Sequence, residues 1–487
     1  MMTPREVIID QAYARLATDS YYEFVKQAFA VLEPETKYLD NWHVEYLCNT
    51  IQSMVERVGR HEPKKRNIII NIPPRAMKSV ITTICIVPWA WIHFPHLKFI
   101  ASSYSAALSL EHSSKARRII ESPWYKRHWG DRYQLQGDEN QKSNYENTKM
   151  GRRTAVSTGG TVIGKGADII IMDDPQDPKG ARSEIDRQKT IEFFDNTLST
   201  RLNDTVSGSF LLVQQRLHEK DLTGYLLSKD GEGEAKWQHI CLPTELDTNI
   251  KPARLTEFYK DGLMFPVRFH PDFLADQRTR LGSRQYAGQY SQRPAKLGGN
   301  IIKGAWFKRF RHTDLPANFV VNFYSDTAYT EKSENDPSGI MAFTQINGNT
   351  YILGSSVFYK EFPEFIKHAQ AYTEALGRSK QSRIWIEPKA SGKSIVQVLK
   401  RIPGLNVIEA TPPVGSKIER VNAITAQIEG GKVFIPFDDD MKYGGAWIEA
   451  FVAECEAFPS VKHDEQVDEL AGILGDGIGR RGAFGYG

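Results

Sequence analysis

The chain has 487 residues, 40% of them hydrophobic and 25% charged. That length exceeds what one core usually covers and the composition is ordinary for a soluble globular protein, so two domains are expected and three are possible. A net charge of +3, from 62 basic and 59 acidic residues, is too small to prove a nucleic-acid partner, and any polyanion contact must come from local clusters. Cys48, Cys85, Cys241 and Cys455 stand far apart with no CxxC pair, which argues for reduced thiols in a cytoplasmic setting and against a zinc site. No signal peptide opens the chain, and the most apolar run, Ile81 to Phe94, is too short and too interrupted by Pro88 to span a membrane.

The first 60 residues read as helical, with Phe24, Phe29 and Leu32 apolar before a break at Pro34 and a further helix beginning at Trp42. Trp42 and Tyr46 either stack on an adenine or fill the core. After a basic turn, Lys64, Lys65 and Arg66, comes NIIINIPPRAMKSVI, Asn67 to Ile81. Ile68, Ile69, Ile70 and Ile72 have the unbroken β-branched character of a strand buried on both faces. Pro73 and Pro74 stop it. Lys78 and Ser79 then stand where a nucleotide-binding loop places its phosphate lysine and its magnesium-binding hydroxyl, at the mouth of a helix whose free N–H groups favour an anion. The usual pattern, GxxxxGK[ST], wants glycine where this chain has Ile72 and Met77, and a left-handed backbone at Met77 would cost about 1–2 kcal/mol.

Leu97 to Ser103 reads as a second strand and Ala106 to Glu121 as a helix. Thr161 to Pro175, TVIGKGADIIIMDDP, is an apolar strand that ends in two carboxylates. Delivered beside a phosphate loop, such a pair can hold a magnesium ion and orient an attacking water, and Asp173 is assigned to the metal and Asp174 to the water. Ser183 to Leu202 follows as a helix, with Ser183 and Asp186 in capping-box spacing and Ile185, Phe193, Phe194 and Leu198 on its apolar side. A further strand, Phe210 to Gln214, runs into QQRLHEKDLTG. Its Gln214 and Gln215 either sense a γ-phosphate or are surface polar residues. From Pro243 to about Pro316 no period holds and Pro and Gly recur, the pattern of a connecting subdomain or linker.

A second domain starts at Phe319. Val320 to Tyr324 is a strand ending at Asp326, and two strands of an antiparallel meander follow it. Glu364 to Leu376 is helical, Arg383 to Ile386 is a strand delivering Glu387, and Ser394 to Ile402 is a helix. KHDEQVDELAGIL sets Asp464 and Asp468 about one helical turn apart, on one side. Acids on three separate elements are what a two-metal phosphodiester cleavage site needs. The stretch EPKASGKS, Glu387 to Ser394, spells a literal GKS. Its first-glycine position is Glu387, however, and no acidic strand follows, so Glu387 as a metal ligand explains more residues. The tail, Gly475 to Gly487, is Gly-rich with Arg480 and Arg481 and is expected to be disordered.

In this order the pieces IPPRAMKS, GGTVIGKGADIIIMDDP, QQRLHEKDLTG, SDTAY, IEPKASG and KHDEQVDELA resemble the large terminase subunit of tailed bacteriophages, over most of the chain from about Trp42 to Ile473. The resemblance implies an α/β chain: an ASCE-type P-loop parallel-sheet ATPase domain, then an RNase H-like mixed-sheet nuclease domain. The expected divisions are a helical segment over 1–60, the ATPase core over 61–243, the connecting segment over 244–317, the nuclease over 318–474 and the tail over 475–487.

The resemblance further implies ATP with Mg²⁺ held by Arg75, Ala76, Met77, Lys78, Ser79, Asp173 and Gln214. Asp174 would be the base, and Lys165 either a finger reaching the neighbouring subunit or a solvated turn lysine. Two divalent metals, Mg²⁺ or Mn²⁺, would sit at Asp326, Glu387 and Asp464, with Asp468 the near alternative. The implied partners are double-stranded DNA, a small terminase subunit and the portal of a procapsid, on which copies of a free monomer form a ring. No membrane is involved. The implied place is the host cytoplasm, transiently at the portal and outside the mature virion. Two other readings stand beside this one: a resolvase-like nuclease with a degenerate, non-motor nucleotide fold, and a small-molecule P-loop kinase or sulfotransferase, against which the carboxylates from Asp326 onward argue.

Overall fold

The computed structural model describes residues 3–137, 141–162, 164–178, 180–230, 236–294, 301–326, 338–358, 362–387, 392–402, 404–461 and 463–475. The tail beyond Gly475, most of SDTAY and the centre of EPKASGKS lie outside the described residues. The chain divides into two compact units, Met1–Leu274 with Arg284–Lys296, and Ala275–Ser283 with Leu297–Gly487. Among the described residues no helix is long and apolar enough to cross a membrane.

The first unit is built on a sheet in the order β3-β4-β2-β5-β6-β1-β7. Its strands are β1 (Asn67–Asn71), β2 (Lys98–Ser103), β3 (Asn144–Glu146), β4 (Arg152–Ser157), β5 (Ile169–Asp173), β6 (Ser209–Gln214) and β7 (Trp237–Cys241). Only the edge strand β3 runs antiparallel to its neighbour. Parallel strands need crossovers that cover the faces of the sheet, which is why their sequences are unbroken apolar runs. Ile69, Ile100, Ile170, Met172 and Leu212 pack on one side with Phe193, Phe194 and Leu198, and the helix Ala106–Glu121 lies against β2 and β4. The strand leading into the phosphate loop, β1, and the strand ending in carboxylates, β5, are not neighbours, because β6 stands between them and pairs with both. That additional strand is the ASCE-type arrangement.

Two local expectations are corrected. The helix after Lys78 begins with a π-helical turn, Val80–Ile84, before the α-helix Ile86–His93. Pro88 has no N–H to donate to the Ile84 carbonyl, and the wider turn absorbs that loss. The helix expected over Ser183 to Leu202 is α-helical over Glu184–Glu192 and π-helical over Phe193–Leu198. Phe193, Phe194 and Leu198 are buried as expected, but Ile185 is 69% exposed, because the wider turn shifts the apolar face and one period does not carry through both parts.

The second unit carries a sheet in the order β13-β12-β9-β10-β11-β14-β8, formed by β8 (Lys308–Phe310), β9 (Asn322–Asp326), β10 (Ser338–Ile346), β11 (Asn349–Phe358), β12 (Ile384–Ile386), β13 (Val407–Glu409) and β14 (Val433–Pro436). An antiparallel meander, β9-β10-β11, with β12 and β13 added in parallel beside β9, is the RNase H-like arrangement. Alternation along the strands fills two cores. Phe323, Ile340 and Leu353 face one side with Phe365 and Ala369. Tyr324, Met341 and Ile352 face the other, under Val421, Ile424, Val467, Leu470 and Ile473.

The stretch 244–317, set apart in the sequence as a connecting segment, is divided between the two units. Trp42 stacks on Phe258 with ring centroids 5.3 Å apart and donates its indole N–H to the Met264 carbonyl at 3.0 Å. Phe310, near the other end of the stretch, lies in β8 and belongs to the second sheet.

Candidate nucleotide site and candidate acid-lined cleavage site

The first site lies at the carboxyl edge of the first sheet, where β1 ends at Asn71, just before Pro73 and Pro74. The backbone passes through the left-handed region at Arg75 (φ 65°) and again at Met77 (φ 63°). Met77 thus adopts the conformation that glycine supplies in the usual pattern. Ala76, between them, is buried and its carbonyl faces His43 Nε2 at 3.3 Å. Lys78 is buried and its ammonium meets Asp174 Oδ2 at 2.7 Å. One face of β5 is the apolar core, so Asp173 projects to the opposite face, where Thr83 donates to its Oδ2 at 2.8 Å and His112 Nδ1 stands 3.5 Å from the same oxygen. Asp173 Oδ1 has no hydrogen-bond partner among the described residues.

Burial raises the pKa of both carboxyls, and the Lys78 charge draws both back; the Thr83 and Ser79 hydroxyls do the same for Asp173. Burial also lowers the His112 pKa to about 4, so its imidazole is neutral at pH 7. A fully buried carboxylate oxygen left without a partner beside a serine hydroxyl is a donor set suited to a hard cation such as Mg²⁺.

The structure therefore brings together Lys78, Ser79, Asp173 and Asp174. Gln214 joins through its backbone, its carbonyl accepting from Ile72 N at 3.3 Å and Asn71 Nδ2 at 3.2 Å. The Gln215 N–H donates to Asp174 Oδ1 at 3.2 Å, and Asp174 donates its own N–H to the Val213 carbonyl at 2.8 Å. Arg75 is exposed and Lys165 is partly buried in the turn after Gly164. Thr83 and His112 were not legible in sequence, since nothing marks a helix residue that meets a strand-end acid from elsewhere in the chain.

The second site follows from strand alternation. Asp326 lies two residues beyond Tyr324 and Glu387 two beyond Trp385, and both aromatics face the same core, so the two acids share that face. The helix Glu465–Leu474 packs on it, with Asp464 at its N-cap. The helix Lys417–Glu429 supplies two cations. Lys417 Nζ bridges Asp464 Oδ1 at 2.5 Å and Asp468 Oδ2 at 2.6 Å. Arg420 Nη2 donates to Asp468 Oδ1 at 3.0 Å, and its Nη1 stands 4.0 Å from Glu387 Oε2. Burial raises the Asp468 pKa and the Asp326 charge pushes the same way, against Lys417 and Arg420.

Asp326, Glu387, Asp464 and Asp468 are thus gathered. Asp468 is the deeper of the last two, with 7% side-chain exposure against 24% for Asp464, and is the one joined to Glu387 through Arg420. Lys417 and Arg420 went unread, as did Glu469, which follows Asp468 directly and is fully buried. Among the described residues no three His, Cys, Asp or Glu side chains already converge on one metal point. The all-oxygen donors, and an ammonium bridging two of them as a cation would, nevertheless fit Mg²⁺ or Mn²⁺.

The chain thus joins a P-loop ATPase-type fold to an RNase H-like nuclease-type fold. No family model and no curated protein sequence matches it. Among solved structures it is similar to the large terminase of the thermophilic bacteriophage D6E in complex with ADP, at 13% identity and a TM-score of 0.48, covering 87% of this chain and 98% of that one. It is similar to the large terminase of bacteriophage HK97 at 11% identity and a TM-score of 0.37, covering 90% and 92%. The human cytomegalovirus terminase nuclease domain is similar at 16% identity and a TM-score of 0.28, covering 34% of this chain and 87% of that domain. These are likenesses of fold.

Proposed function

We propose that this chain is the large terminase subunit of a tailed phage, an ATP-driven motor that moves double-stranded DNA into a procapsid and cuts the concatemer at a separate two-metal site. The observation that carries the reading is the 2.7 Å pair between buried Lys78 and Asp174, set beside the unpartnered Asp173 oxygen, in a chain that also gathers acids on a second sheet. Nucleotide phosphates would draw Lys78 off Asp174, which leaves that carboxylate to accept a proton from the attacking water. Ser79 and Asp173 are the residues that would hold Mg²⁺, whose charge neutralises the phosphate oxygens. Gln214 and Gln215 tie this edge to the neighbouring strand. Arg75 contacts phosphates from the loop, and Lys165 is the candidate finger toward a neighbouring copy.

In the second unit Asp326, Glu387 and Asp468, with Asp464 beside them, would hold two divalent ions, which supply an activated water and charge for the leaving oxygen. DNA is gripped through its backbone, without regard to sequence. A small terminase subunit, the portal and a ring of copies complete the assembly in the host cytoplasm. The left-handed backbone at Met77, where the usual pattern has glycine, supports a working loop over a degenerate, non-motor scaffold. The test is reciprocal. Lys78→Ala should abolish DNA-stimulated ATP turnover and spare metal-dependent plasmid cleavage, while Asp326→Ala should do the reverse. Loss of both activities from either change in a folded protein would overturn two independent sites, and wild-type protein without DNA-stimulated turnover would revive the scaffold.

A further inference from the structure

Each acid near the second site can be asked which cation or donor meets it. Asp464 and Asp468 have Lys417, Asp468 also has Arg420, and Arg420 reaches toward Glu387. Glu454, on the neighbouring helix Trp447–Ala457, accepts from Gln466 Nε2 at 2.6 Å and from Val467 N at 3.0 Å. Glu469 is different. It is 0% exposed, and neither carboxylate oxygen has a hydrogen-bond partner in good geometry among the described residues. The largest charge effects on it come from Asp326, Glu454 and Asp468, all of its own sign, and the Asp326 backbone N–H is turned toward it.

Its position is built. Gly339 pairs with Asp326 across the β9-β10 ladder, and a Cβ at Gly339 would stand 2.6 Å from Glu469 Oε1. The missing side chain on β10 is what lets the Glu469 head lie on the sheet beside the strand end that carries Asp326. Burial pushes the Glu469 carboxyl well above the usual carboxylate range and the neighbouring acids add to the push, while the geometry leaves two carboxylate oxygens on the sheet beside Asp326, without a partner among the described residues, as oxygen donors of the kind a divalent cation takes.

We infer that Glu469 is a further carboxylate ligand of the nuclease metal centre, joining Asp326 and Asp468 on a divalent cation. This rests on the proposed cleavage site, and the test separates the two. Mn²⁺ is titrated into the full-length, nucleotide-free protein and the free ion is followed by its electron paramagnetic resonance signal. Affinity should follow the number of charged ligands, so Glu469→Gln should weaken Mn²⁺ binding by about tenfold or more, as should Asp326→Asn. Glu469→Asp, which keeps the charge but withdraws it by one methylene, should weaken binding by a smaller factor and serves if the glutamine variant fails to fold. Wild-type Mn²⁺ affinity in either Glu469 variant, with Asp326→Asn weakened, would overturn the Glu469 assignment and leave the cleavage site standing. Wild-type affinity in Asp326→Asn as well would overturn both.

Discussion

The two acidic centres handle buried carboxylates in opposite ways. In the first unit the acids are adjacent in sequence, delivered by one strand, and partnered by one loop lysine, one threonine and a neutral histidine. In the second unit they arrive from β9, from the end of β12 and from the last described helix, and Lys417 and Arg420 reach across to several of them. A site made by a strand end and its loop keeps its shape because the sheet fixes it. A site assembled from three elements is drawn together by the counter-charges that reach across it.

That contrast can be broken in order of expected effect. The reciprocal pair is the largest: Lys78→Ala should lower DNA-stimulated ATP turnover at least about a hundredfold, the order seen when one transition-state charge partner is removed, with plasmid cleavage intact, and Asp326→Ala should mirror it. Next comes Arg420→Ala, which strips a cation from buried Asp468 and should destabilise the protein by about 3 kcal/mol, the cost of breaking a buried pair. Chemical denaturation without metal would read it, and an unchanged midpoint would mean that Lys417 alone suffices.

Thr83→Val removes the hydroxyl that donates to Asp173 and should cost about 1.5 kcal/mol, as for a hydrogen bond to a charged group. Its effect should stay in the ATP reaction, with cleavage unchanged.

A smaller effect concerns pH. Burial, with Lys251 and Arg216 nearby, lowers the His239 pKa to about 3, and its Nε2 meets Asn71 Oδ1 at 2.8 Å. The folded state keeps this ring neutral while the unfolded chain takes up a proton below its ordinary pKa of about 6.5. The stability it contributes is therefore complete above that pH and is lost as pH falls from there toward about 3. His239→Gln should flatten the decline by up to about 1.4 kcal/mol per pH unit, as measured by denaturation midpoints across that range.

How far each region could be read from its letters follows the same contrast. The strand into Lys78 and Ser79 and the strand into Asp173 and Asp174 are short, apolar and sharply ended, so the meeting of these four residues at one sheet edge was legible in sequence. Asp326, Glu387 and the pair Asp464 and Asp468, of which the sequence favoured Asp464, stand out as acids at element ends for the same reason, since alternation and helical spacing are local rules. Thr83, His112, Lys417, Arg420 and Glu469 were not, because each acts on a residue brought near only by tertiary packing. Ile185 was misread because a π-turn changes the period midway.

Met77 carries a last consequence. Its φ of 63° means that the chain takes a left-handed turn at a position where a side chain disfavours it, and Met77→Gly should raise thermal stability by about 1 kcal/mol by relieving that strain. Searches that look for glycines will pass this loop by, although its outline is intact. Here the residues depart from the usual pattern while the backbone keeps its left-handed turn, so a loop of this kind is better sought by the path its backbone follows than by the residues that draw it.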